Sequence, residues 1–244
     1  MKILAMDTTA KTASVALAEA EYDGTVSLIG QFFLKTTAHS ATLLPMTDSL
    51  LTAAGLDYPD LDLLAVSAGP GSFTGGRIGV ATVKGMALPR DIPAVGVSSL
   101  EALAWGCADL RGLILPAVDA RRGTVYGAIF RSDGKGHVAR LTQDAQPSWE
   151  EFLSLIRETA GSSRAPAYGC GDGWLADGSR RSPFRLAPEE LRHPTGLGVA
   201  RAAFRRYRDA KDPAIFTADA LAPTYLKKSQ AERDREASLS GNVC

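Results

Sequence analysis

Short apolar runs separated by polar turns set the rhythm of the first hundred residues. Ile3–Met6 is an apolar run that predicts a buried strand, Asp7-Thr8-Thr9 a polar turn, and Ala13–Ala18 a returning strand, together a hairpin. Leu28–Lys35 predicts a third strand. From His39 to Ala54 the apolar positions Leu43, Leu44, Met46 (or Thr47), Leu50 and Leu51 follow helical spacing, which Gly55 closes. Leu61–Ser67 predicts a fourth strand, Thr74–Leu88 a helix stopped by Pro89, and Ile92–Val97 another strand. Ser98-Ser99 then caps a helix that runs to about Cys107.

The pattern restarts after this point. Leu113–Val118 is an apolar run ending in Asp119, followed by Arg121-Arg122-Gly123 and a strand over Thr124–Phe130. ILAMDTTAKTASVAL and ILPAVDARRGTVYGAIF share one layout of strand, Asp, short polar turn and strand, which points to a duplicated domain. Further on, Trp149–Glu158 predicts a helix, Ala167–Gly173 a strand and turn, and Gly196–Arg208 an arginine-bearing helix. Gly161–Ala165 and Asp177–Pro183 read as loops. The expected organisation is a first lobe over 1–108, a second over 109–210, a segment 211–228 packing back on the first lobe, and a flexible polar tail over 229–244.

Composition narrows the class without naming a function. The 244 residues are 45% hydrophobic and 22% charged, ordinary for a globular protein with a sizeable core. Formal net charge is zero, so no global pull toward nucleic acid follows, and any RNA contact must be local or made through a partner. Cys107, Cys170 and Cys244 form no CxxC pair, which argues against a disulfide framework or structural zinc and fits a reducing cytoplasm. The Asp after the first apolar run comes too early for a signal peptide, and no apolar stretch nears the ~20 residues that span a membrane.

The stretch AGPGSFTGGRIG, Ala68–Gly79, has the glycine density of a phosphate loop but not its chemistry. Gly76 is followed by Arg77 and Ile78 rather than Lys and Ser or Thr, and no G-x-G-x-x-G can be read from its glycines. In the helix that follows, Gly75, Gly79 and Val83 fall four apart with Gly76 beside them. Each helical glycine costs about 1 kcal/mol relative to alanine, so close approach of another helix is the expectation. Asp7 and Asp119 end matching strands, where each carboxylate either holds a metal-bound water near phosphates or caps its own turn. Ser72 lies outside any G-x-S-x-G elbow, and His39, His137 and His193 are too few and too scattered for a zinc or iron site. YGCGDGW at Tyr168–Trp174 is a weak candidate for an adenosine-binding glycine motif. The arginines of ARAAFRRYRDAK form a basic face, either solvated or in contact with tRNA phosphate.

Five motifs taken in order carry a resemblance to a known family. MDTT, HSATLLPMTDSLL, SAGPGSFTGGRIGVATVKGMAL, VDARRGTVYGAIF and PTYLK are similar to the TsaB (YeaZ) family, the bacterial non-catalytic subunit of tRNA threonylcarbamoyladenosine synthesis, from residue 1 to about Lys228. The resemblance implies an α/β, actin-like and sugar-kinase-like (ASKHA) duplicated ribonuclease-H-like fold of two lobes. It implies a heterodimer with the paralogue TsaD, the ATPase TsaE as a further partner, tRNA reached through the complex, and a homodimer when alone. ATP and a metal act in those partners, with no cofactor or metal expected on this chain. The helix that carries H-x-x-x-H in TsaD reads His39 then Leu43 here, so that ligand pair is broken.

The family's contact surface maps onto His39, Leu43, Leu44, Thr47, Phe73, Gly75, Gly76, Arg77, Gly79, Val80, Val83 and Lys84, with Gly76 standing where Leu is common. A vestigial nucleotide site would draw on Asp7, Thr8 and Asp119. The expected function is a scaffold and activator of TsaD, not an enzyme. The alternative is an ATP-dependent small-molecule kinase or ATPase of the same fold using Asp7 and Asp119. On the first reading, Gly79→Arg should disrupt assembly and leave the fold intact.

Overall fold

The computed structural model describes residues 1–36, 38–161, 165–175 and 184–226. The tail at 229–244, Cys244, the loop Asp177–Pro183 and the lysines of PTYLKK therefore lie outside the described residues.

In the first lobe the strands are β1 (Lys2–Asp7), β2 (Thr12–Ala20) and β3 (Val26–Lys35), followed by α1 (His39–Ala53), β4 (Leu63–Gly69), α2 (Phe73–Ala87), β5 (Ala94–Ser98) and α3 (Ser99–Gly106). The second lobe contains β6 (Gly112–Asp119), β7 (Val125–Gly127), β8 (Phe130–Ser132), β9 (Val138–Arg140), α4 (Trp149–Ala160), β10 (Ala167–Cys170) and β11 (Arg185–Leu186), and α5 (Gly196–Arg208) follows. The first sheet is ordered β3-β2-β1-β4-β5 and the second β9-β8-β6-β10-β11, with β7 also on β6. In each, the hairpin side is antiparallel and the last two strands are parallel. The duplication suggested by the two hairpins is thus present strand for strand.

The strand expected over Thr124–Phe130 is divided into β7 and β8. Both pair with β6 in one continuous register, Asp119↔Val125 to Ala117↔Gly127 and then Ile114↔Phe130 to Gly112↔Ser132. The gap falls where Pro116 has no N–H to give the ladder.

Hydrophobic alternation explains the layering. Leu4 and Met6 of β1 face outward to a core shared with α1 and α2, while Ile3 and Ala5 face inward to a core shared with α3 and α5. With both faces covered, β1 reads as a continuous apolar run rather than an alternating one. The second sheet closes the inner core with Ile114 and Phe130 and turns Leu113 and Leu115 to α4, Phe152 and Trp174. The stack therefore runs α1/α2, first sheet, α3/α5, second sheet, α4.

The boundary drawn at 210 assigns α5 to the second lobe, whereas α5 lies across β1 and β2, where Gly196 donates its N–H to Ser14 Oγ at 2.9 Å. The described part of 211–228 lies on the first lobe, with Thr224 N–H bonded to Ala68 O at 2.7 Å and Leu221 in the outer core. Arg140 of β9 ties the lobes together at one edge, pairing with Asp144 at 2.5 Å and with Glu101 of α3 at 3.2 Å. Cys107 and Cys170, remote in sequence, meet as buried free thiols in the inner core, where burial pushes the Cys170 thiol up. None of the described helices is long and apolar enough to cross a membrane.

Candidate docking surface and the closed carboxylate

The glycine-rich stretch folds as a turn between β4 and α2 that is clasped by its own chain. Ser72 donates its N–H to Thr9 O at 2.8 Å and, as N-cap, accepts from Gly75 N–H at 3.1 Å. The α2 N-terminus therefore faces the β1–β2 turn, with the Ser72 N–H bonded to the turn and the Gly75 N–H to the Ser72 cap.

The close approach foretold by the glycine spacing is real, but the neighbour is the β1–β2 turn and not a second helix. A Cβ on Gly75 would overlap the Thr8 carbonyl, and one on Gly79 would lie 2.6 Å from Thr8 Oγ1 and 3.0 Å from Val66 Cγ2. Thr8 Oγ1 in turn donates to Gly75 O at 2.7 Å. Gly75, Gly79, Val80 and Val83 are buried on this inner side, as are His39, Leu43 and Thr47 of α1 and Gly76 of α2. These residues, all expected at the interface, are buried within the chain itself. The expectation that Gly79→Arg would spare the fold is accordingly corrected: an arginine there has Thr8 and Val66 in its way.

Of the expected contact residues, Leu44, Phe73 and Arg77 are exposed and Lys84 is half-buried. Phe73 and Leu44 are 42% and 45% exposed, and Leu88 at the end of α2 is 65% exposed. The Arg77 guanidinium lies 3.9 Å from the Phe73 ring centroid and its Nε donates to Tyr225 OH at 2.7 Å. Phe73 and Tyr225 rings are 5.0 Å apart, and Lys84 Nζ donates to Asp219 O at 3.4 Å. The chain after α5, the segment expected to pack back on the first lobe, thus lies against the outer side of α2, a neighbour that the sequence did not specify. Tyr225 belongs to this face, whereas Leu226 turns to a hollow beside β5, Glu101 and Arg140. A second exposed apolar row, Leu28, Ile29, Phe32, Phe33 and Leu34, lies on β3 at the sheet edge.

The three residues of the possible nucleotide site do not converge. A cavity of about 770 Å³ separates the two hairpins and is lined by Lys11, Thr12, Lys35, Asp119, Asp172 and His193, among others. Among the described residues, Asp7 does not line it. Asp7 is fully buried, accepting from Thr9 N–H at 3.0 Å and from the Thr9 hydroxyl at 2.9 Å. Asp119 is exposed, accepts from Arg121 N–H at 2.9 Å, and donates its own N–H to Asp172 Oδ1 at 3.0 Å. Thr8 is occupied with Gly75. These carboxylates do not fit a shared metal–nucleotide site, because only one of them reaches the cavity. The YGCGDGW glycines serve packing: a Cβ on Gly173 would lie 2.8 Å from Ala117 O, and Trp174 Nε1 donates to Leu115 O at 2.7 Å.

Burial pushes the Asp7 carboxyl up from its usual range, against the opposing pull of the Ser67 hydroxyl beside it, the Thr9 hydrogen bonds and His39. A raised value means the folded chain holds this proton to higher pH than the unfolded chain does. The stability that Asp7 contributes is therefore full at low pH and declines as pH rises through the raised value. Asp7→Asn is expected to be more stable than the parent at neutral pH. The difference should shrink as pH falls through the ordinary carboxylate range, read as urea midpoints between about pH 4 and pH 8.

A doubled β3-β2-β1-β4-β5 sheet with a closed inter-lobe core defines a two-lobed α/β protein of the actin-like, sugar-kinase-like class. YeaZ from Pseudomonas aeruginosa has this architecture, with a TM-score of 0.74 and 26% identity over 92% of this chain and 99% of that one. The family model described as TsaD, tRNA N6-adenosine threonylcarbamoyltransferase, matches residues 34–155, from the end of β3 into α4. The tRNA threonylcarbamoyladenosine biosynthesis protein TsaB of Escherichia coli strain K12 is 33% identical over 237 residues, 95% of this chain and 96% of its own length. That of Bacillus subtilis strain 168 is 36% identical over 160 residues, 65% of this chain and 67% of its own. The chain belongs to the TsaB family, proteins of tRNA threonylcarbamoyladenosine biosynthesis.

Proposed function

We propose that this chain is a non-catalytic scaffold and activator that docks on the threonylcarbamoyltransferase TsaD through the outer face of α1 and α2. In this reading TsaD carries the metal and transfers threonylcarbamoyl to the adenosine at position 37 of tRNAs reading ANN codons. The ATPase TsaE joins the assembly and supplies the ATP-dependent step, and tRNA is engaged through the complex in the cytoplasm. Alone, the chain pairs with a second copy through the same face.

The observation that carries the reading is the exposure of Leu44 on α1 and of Phe73 on α2, with Phe73, Arg77 and Tyr225 in mutual contact on the outer side of α2. Such an apolar and aromatic face with an arginine at its centre has the make-up of a protein interface core. The burial of Asp7 away from the inter-lobe cavity supports the absence of chemistry on this chain and counts against the kinase reading. Reconstitution with TsaD and TsaE tests it. Modification of unmodified tRNA should be lost when this chain is left out, and undiminished modification without it overturns the proposal.

A further inference from the structure

We infer that the hollow bounded by the β2–β3 turn, the β8–β9 turn and α5 binds an RNA phosphodiester backbone. The inference leans on the proposed function only in taking tRNA as the polymer at hand. The hollow measures about 370 Å³ and its lining includes Lys135, His137, Arg201, Arg205 and Arg208. These come from two elements far apart in sequence, a turn of the second lobe and the basic face of α5, and converge although the chain as a whole has no net charge.

The carboxylates nearby leave this cationic character available. Asp109 pairs with Arg201 at 3.5 Å, but its side chain is 71% exposed, and a solvated pair of this kind is worth little and yields readily to a phosphate. Asp209 is shared between Arg205 and Arg208, so one carboxylate serves two guanidiniums. Asp23 is held in its turn by Thr25 N–H at 2.8 Å. Asp133, in the same turn as Lys135 and His137, accepts both their backbone N–H groups at 2.7 and 3.2 Å and attracts their side chains, but among the described residues it forms no ion pair with Lys135 within 4 Å. His137 lies parallel to Trp105, with ring centroids 6.5 Å apart, so its position at the rim is fixed by packing. Gly24, at φ +97°, is the turn residue over which the Arg208 guanidinium lies, and any Cβ there would collide with it.

Position in the stack makes the site compatible with docking. The hollow opens beside α3 and α5, on the opposite face of the first sheet from α1 and α2. A partner seated on Leu44 and Phe73 leaves Lys135 and Arg208 uncovered, so one chain can hold the transferase on one face and an RNA backbone on the other. Phosphate contacts of this kind position a polymer without reading its sequence.

The test measures binding of unmodified tRNA to the full chain as a function of salt. Lys135→Glu combined with Arg208→Glu removes two exposed cations and is expected to weaken binding at least tenfold at low salt. The slope of log affinity against log salt should fall by about two, roughly one for each phosphate no longer neutralised. Arg90→Glu, an equally exposed basic residue beyond the end of α2, should leave both unchanged. Unaltered thermal melting and unaltered capture of the transferase confirm that the double variant is folded and still docks. Equal tRNA affinity and slope in the double variant overturn the inference, as does an equal loss in Arg90→Glu. Binding of inorganic pyrophosphate alone, with no tRNA binding, also overturns it. Failure of the reconstitution with TsaD and TsaE bears on the docking proposal and leaves this measurement to stand or fall by itself.

Discussion

Gly75→Ala is expected to destabilise the chain by about 2 kcal/mol or more, the net of two opposed effects on one methyl group. Alanine in place of a helical glycine favours the helix by about 1 kcal/mol, and overpacking a tight contact costs about 1–3 kcal/mol and sometimes more, of which a rigid backbone obstacle takes the upper end of about 3 kcal/mol or above. The obstacle at Gly75 is the Thr8 carbonyl, a backbone atom in a turn that Thr8 Oγ1 ties to Gly75 O and that Thr9 O ties to Ser72. No side chain can rotate out of the way, so the clash wins. Gly85 lies on the exposed side of the same helix and a Cβ there meets nothing within 4 Å. Gly85→Ala should therefore show the propensity effect alone, a gain of about 1 kcal/mol. In thermal melts the two variants should move apart, Gly75→Ala down by about 4 °C or more and Gly85→Ala up by about 2–4 °C. Equal shifts would mean that α2 does not rest on Thr8 as described.

This pair also shows where sequence reasoning stops. The spacing of Gly75, Gly79 and Val83 announced a helix face made for close approach, and the structure has one. Spacing along a helix says nothing about which neighbour approaches, and the neighbour is local: the turn after β1. The same limit explains the contact residues that turned out to be core. Leu43, Thr47, Val80 and Val83 share helices with Leu44 and Phe73 but point to the outer core, and an amphipathic pattern cannot distinguish a face against its own sheet from one against a partner when both are apolar.

The larger architecture was more legible because it is written in long runs. Strands buried on both faces leave continuous apolar stretches, and the repeated strand–Asp–turn–strand layout located the duplication. The short strands β9 and β11 escaped notice, since three and two residues cannot establish a period. Pro116 divided β7 from β8 by denying a single ladder hydrogen bond. The placement of Tyr225 over Arg77, 148 residues apart in sequence, had no local signal beyond the motif that contained it.

Leu44→Asp is expected to remove binding to the transferase while leaving the isolated chain folded. Leu44 is 45% exposed on α1 and stands outside the buried outer core, and surface changes of this kind usually alter stability by less than about 0.5 kcal/mol. At the centre of an apolar interface, the same change buries an unpaired carboxylate and forfeits a packed side chain. Interface hot spots of this kind cost about 2–4 kcal/mol, roughly a 30- to 1,000-fold loss of affinity. Titration calorimetry against TsaD, alongside thermal melting of the free variant, separates the two effects. Leu28→Asp is the matched control, because Leu28 on β3 is also 45% exposed and belongs to the other apolar row. Lost affinity with an unchanged melting point for Leu44→Asp, and parental affinity for Leu28→Asp, place the partner on α1 and α2. The reverse result would move the docking face to the β3 edge, where the partner would add to the sheet rather than pack on its helices. Gly85→Ala then acquires a second use in the same titration. A variant more stable alone but weaker with the partner would explain why α2 keeps a glycine that its own lobe does not need.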